Sequence, residues 1–186
     1  PRLVVGGSFT IAGGVVASNI ATLDRQTGAW APLGSGTSGA VRSLCVMPDG
    51  SLAVGGDFAT AGGGPVANIA RWNGSSWLSI AGGTNGRVSA LTVLANGDLV
   101  AGGSFTSAGG APANYIAKWD GVAWSPLGLG MGAGAGGPTP RVLALAVRPG
   151  GQLIAGGEFI TAGGVTVNRI AAWDGANWSD IGGVFP

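Results

Sequence analysis

Histidine is absent from the 186 residues, and cysteine and tyrosine each occur once, as Cys45 and Tyr115. Without histidine there is no Ser-His-Asp or Cys-His catalysis, no histidine zinc site and no imidazole switch near neutral pH. A lone cysteine can form neither an internal disulfide nor a thiolate cluster, so cysteine usage leaves the compartment open. Charge is scarce as well: 9% of residues are charged, against roughly 25% in an average soluble domain. The net charge is +1 and Lys and Arg form no run, which argues against nucleic acid as a partner. Gly, Ser, Asn and Asp recur every few positions, so no apolar stretch reaches the 18 residues of a membrane span. Hydrophobic residues still reach 46%, enough for a core and too many for a disordered chain.

What the chain has in abundance is glycine, 39 residues, placed in a fourfold pattern. Gly6-Gly7-Ser8-Phe9 returns as Gly55-Gly56-Asp57-Phe58, Gly102-Gly103-Ser104-Phe105 and Gly156-Gly157-Glu158-Phe159, at steps of 49, 47 and 54 residues. Each block is followed by Ala-Gly-Gly and then, 11 residues past the Phe, by Ile-Ala. Next comes Leu23-Asp24, Trp72-Asn73, Trp119-Asp120 or Trp173-Asp174, and a second tryptophan closes each unit at Trp30, Trp77, Trp124 and Trp178.

Within a unit the pattern predicts four short antiparallel strands. The first is apolar (41–47, 88–94, 142–147), and the second runs into the double glycine. The third carries Ile-Ala-x-Trp and the fourth holds the closing Trp. Four strands in about 45–50 residues is the period of a propeller blade. Interior glycine, at about 1 kcal/mol each relative to Ala, excludes a helical repeat. The chain therefore reads as one all-β array, residues 1–186, with approximate blades 1–40, 41–87, 88–141 and 142–186, the first lacking its innermost strand. The first two strands lose period-2 alternation because neighbouring blades cover both their faces. Asp49-Gly50, Asn96-Gly97 and Gly150-Gly151 suit two-residue hairpin turns. On that register Val41 stands opposite Phe58, Val88 opposite Phe105 and Val142 opposite Phe159, three equivalent core pairs.

The units resemble kelch-type propeller repeats. The fuller string, Gly-Gly-x-Phe-x-x-Ala-Gly-Gly…Asn-x-Ile-Ala-x-Trp-Asp-Gly-x-x-Trp, is more similar to the repeats of the fungal cortical cell-polarity marker and its secreted bacterial relatives. Unit one departs from it at Leu23 and at the turn lengthened by Arg25-Gln26; unit three carries Asn114 one place earlier than Asn19 and Asn68. The resemblance implies a propeller at the cell surface or outside it, with no catalytic motif. The chain opens at Pro1 inside a repeat, so the expectation is a processed or incomplete product, and the tail Val184-Phe185-Pro186 is too short to supply a full strand. A distorted four-bladed ring, a ring built from more than one chain and a segment of a longer polypeptide all remain open, with the last two favoured together because unpaired inner-strand edges invite pairing with another chain.

Candidate binding residues gather where first strands start and second strands end. Arg42 stands opposite Asp57, Arg141 diagonal to Glu158, and blade three offers Arg87 and Ser104. These six read either as a polar ring gripping an anionic or hydroxylated ligand or as cross-strand ion pairs. The tryptophans read either as sugar-stacking sites, one per blade, or as filling between blades. The long connection after Leu127, with its Gly130–Pro138 insert, reads as a linker-like loop, and Asp24, Asp120 and Asp174 as turn residues rather than calcium ligands. Asn73-Gly74-Ser75 and Asn177-Trp178-Ser179 match the glycosylation sequon. Copper–radical oxidation would need histidine ligands, and Asp57 and Glu158, each beside an Arg, suit ion pairing better than acid catalysis. The expectation is a non-enzymatic extracellular or cell-surface scaffold for protein or glycan partners, without metal or cofactor; the alternative is a lectin-like propeller.

Overall fold

The computed structural model describes residues 2–181, and Pro1 and the 182–186 tail lie outside the described residues. Blade one is three-stranded, with Arg2–Gly6, Ile20–Asp24 and Trp30–Pro32 side by side. The other blades have four strands in sequence order from the inside outward. In blade two these are Val41–Val46, Leu52–Gly56, Ile69–Trp72 and Trp77–Ser79. In blade three they are Val88–Val93, Leu99–Gly103, Ile116–Trp119 and Trp124–Pro126, and in blade four Arg141–Val147, Leu153–Glu158, Ile170–Trp173 and Trp178–Asp180. All pairings are antiparallel, as the fourfold repeat predicts.

The core lies between blades rather than within them. Among the described residues, one apolar cluster joins Ile20 and Leu33 of blade one to Val41 and Phe58 of blade two. A second joins Ile69 and Ile80 to Val88 and Phe105, and a third joins Ile116 and Leu127 to Val142 and Phe159. The double glycines make this close packing achievable. A β-carbon on Gly6, Gly55 or Gly102 would collide with Cγ1 of Val41, Val88 or Val142, the valine that starts the next blade. A β-carbon on Gly56, Gly103 or Gly157 would strike the carbonyl oxygen of Ala40, Arg87 or Arg141 on the partner strand. Each inner valine is thus a knob seated on bare backbone.

The expected valine–phenylalanine pairs are all buried, but they are not opposite one another. Val41 faces Gly56, Val88 faces Gly103 and Val142 faces Gly157. Two effects each move the register by one residue. The turn is a three-residue loop, Pro48-Asp49-Gly50, because Met47 and Ser51 still pair (Met47 N–H to Ser51 O, 2.8 Å) and Gly50 closes it at φ 80°. A bulge between Val41 and Ser43 inserts the second residue. Both features recur in blades three and four.

Each Ala-Gly-Gly block also forms a short hairpin that the repeat pattern did not reveal, such as Thr60–Ala61 paired with Gly64–Pro65. The preceding blade adds a residue to it: Thr37 bridges Ala61 and Thr84 bridges Ala108. The expected linker-like insert is corrected in part, since Met131–Gly132 pairs with Thr161–Ala162 of blade four as a strand.

Candidate functional site

At the end of the blades where inner strands begin, the bulge turns the sequence-derived pairs into different ones. Arg42 is the extra residue of its bulge and is exposed, so it does not stand opposite Asp57. Asp57 instead accepts from Arg87 of the next blade, at 3.1 Å from Nε and 2.6 Å from Nη2. Arg141 and Glu158, expected on a diagonal, are direct register partners with Nε 3.5 Å from Oε2. Arg87 meets Ser104 through the backbone, the Ser104 N–H donating to the Arg87 carbonyl at 3.0 Å. Both ion pairs are solvent-exposed, so each contributes about 0–1 kcal/mol and leaves its guanidinium free to exchange partners.

Three of the six predicted residues share a cleft. Arg87, Ser104 and Arg141 line about 400 Å³ between blades three and four, together with Ser89, Thr139 and Leu143. Asp57 opens onto a separate groove with Phe58 and Asn68. Sequence reasoning missed Ser89, which occupies in blade three the bulge position that Arg42 holds in blade two, and Thr139, which the long connection delivers. The equivalence of Arg42 and Ser89 was readable from the repeat; the cleft was not. Two cationic forks beside three hydroxyls can hold a carboxylate, sulfate or phosphate.

The closing tryptophans of blades two to four act as staples. The indole N–H of Trp77 donates to Leu33 O at 3.3 Å, that of Trp124 to Ile80 O at 3.0 Å and that of Trp178 to Leu127 O at 2.8 Å. Each bond crosses to the preceding blade, so the closing Trp fills and fastens the gap. The turn aspartates are occupied locally: Asp120 Oδ1 accepts from Val122 and Ala123 N–H, and Asp174 Oδ1 from Ala176 and Asn177 N–H. These backbone donors hold both carboxyls below their ordinary value of 3.8. Burial pushes the Cys45 thiol up, which makes it a poor nucleophile at neutral pH.

The family model described as the Rax2 C-terminal beta propeller domain matches residues 1–134. No curated protein matches the chain. Among solved structures, the extracellular domain of the one-component system BT4673 from B. thetaiotaomicron is similar, with a TM-score of 0.55 and 12% identity over 87% of this chain. The chain spans 19% of that protein's length, and the likeness concerns the fold.

Proposed function

Because the chain belongs to the Rax2 C-terminal beta propeller domain family, we propose that it is a non-catalytic binding scaffold, at the cell surface or outside it, that presents the inner-strand face to an acidic protein or glycan partner. The observation carrying this reading is the convergence of Arg87 and Arg141 on one cleft beside Ser89, Ser104 and Thr139. Their carboxylate partners are exposed and exchangeable, so an anionic group can take their place at little cost. The placement outside the cell rests on the similarity of the repeats to cell-surface and secreted propellers.

Titration with poly-glutamate, followed by backbone amide shifts, tests the cleft. Shifts are expected at Ser89, Ser104 and Thr139, weakening with salt and absent from the Arg87→Ser/Arg141→Ser double variant. No response, or one unchanged in that variant, rejects the site. The same reading includes self-association. Among the described residues Arg2–Gly6 has a neighbour on one side only in its sheet, and Gly156, unlike Gly6, Gly55 and Gly102, meets no side chain within 4 Å. A second copy is the partner we propose for these two faces.

A further inference from the structure

Equivalent gaps between blades are not equally filled at the opposite end, where the turns between first and second strands lie. Between blades two and three, Pro48 closes the entrance: its Cγ stands 3.6 Å from where Gly97 would carry a β-carbon. Behind it Met47 and Trp119 are buried, each 8% exposed. Between blades three and four the repeat places Ala95 where Pro48 stood, Leu94 for Met47 and Gly151 for Gly97. Among the described residues nothing lies within 4 Å of a β-carbon built on Gly151, and Trp173, the counterpart of Trp119, is only half-buried. A cleft of about 160 Å³ lies in this gap.

Its lining pairs an apolar floor with a polar rim. Leu94, Leu127, Leu153 and Trp173 form the floor, and Asn96, Asp98, Lys118 and Asp174 stand around it. The Asp98 side chain is 11% exposed and takes the Lys118 ammonium on Oδ2 at 2.7 Å. In blade two Ser51 and Arg71 hold the positions of Asp98 and Lys118, and in blade four Gln152 and Ala172 do. The Asp98–Lys118 pair is therefore particular to blade three, whereas Asn96 and Asp174 stand at turn positions of the repeat.

We propose that this cleft binds a single saccharide ring. Pockets of this kind combine apolar walls with a few polar groups that set orientation. The indole face of Trp173, negative at its centre, attracts the polarised C–H face of a sugar. Asp98 and Asp174 accept from ring hydroxyls, while Asn96 and Lys118 donate to them. A cationic amine gains less, because Lys118 already pairs with Asp98 and leaves Asp174 as the rim's one carboxylate without an ion pair among the described residues. The site lies away from the arginine cleft, and its test leaves those residues untouched, so the two readings fail separately.

The full chain is examined by saturation-transfer NMR and tryptophan fluorescence with glucose, galactose, mannose and N-acetylglucosamine, each at about 10 mM, above the millimolar affinity of a weak single-ring site. Binding of at least one sugar is expected. Ala95→Pro, which copies blade two, and Asp98→Asn should each weaken it about tenfold or more, while Pro48→Ala leaves it unchanged. Trp173→Leu, which copies Leu23 of unit one, should abolish it and serves as the second variant if Ala95→Pro does not fold. Silence from all four sugars, binding indifferent to these substitutions, or binding of butylamine in place of sugars overturns the proposal.

Discussion

Val142 Cγ1 occupies the space that a β-carbon on Gly102 would need, whereas a β-carbon on Gly156, the same position one blade later, meets nothing within 4 Å among the described residues. Gly102→Ala should therefore destabilise by about 1–3 kcal/mol through overpacking. Gly156→Ala should change stability little; urea unfolding of the two variants measures the difference. The contrast isolates packing from backbone entropy, since both glycines sit in equivalent second strands. At this scale the sequence was highly informative. The repeated Gly-Gly already marked close backbone approach, and the repeated valine and phenylalanine already marked the core. What no single residue could reveal was which glycine receives the neighbour's valine and which its own partner's carbonyl.

Strand by strand, register was the illegible quantity. Asp49-Gly50 reads equally as a whole two-residue turn or as the end of the three-residue loop it forms. A slip normally shows as apolar side chains on the wrong face, but these strands are covered on both sides and carry no alternation to expose it. Hence Arg42 was paired with Asp57 by counting, while the bulge and the stagger between blades give Asp57 to Arg87. The outer hairpins were fully legible: Trp72 faces Trp77, Trp119 faces Trp124 and Trp173 faces Trp178. Their turns carry a pH signature. With the Asp120 and Asp174 carboxyls lowered below 3.8 by turn N–H donors, the stability they contribute is complete above the unfolded value. It is lost as pH falls through the lower folded values. NMR titration should place both midpoints below 3.8, and Asp120→Asn, which keeps the acceptor oxygen, should flatten the acid limb of the stability curve. An ordinary midpoint for Asp120 would show the turn bonds to be weak in solution.

For the molecule as a whole, packing is between neighbours. Each apolar cluster is shared by two adjacent blades, so stability accumulates seam by seam, as in other repeat arrays. Self-association through the outward faces predicts a native mass that is a multiple of the 17.9 kDa chain; a particle of single-chain mass at micromolar concentration would reject it. The fourfold repeat was plain from the sequence, but the saccharide cleft was not, because it lies between two blades and is visible only when two gaps are compared in space. The indole bonds from Trp77, Trp124 and Trp178 to Leu33, Ile80 and Leu127 give this arrangement a built-in gauge. Each of the three junctions owns one distinct ring proton, hydrogen-bonded only while that junction is shut. Following those protons into heavy water would tell which leaf of the fan peels away first.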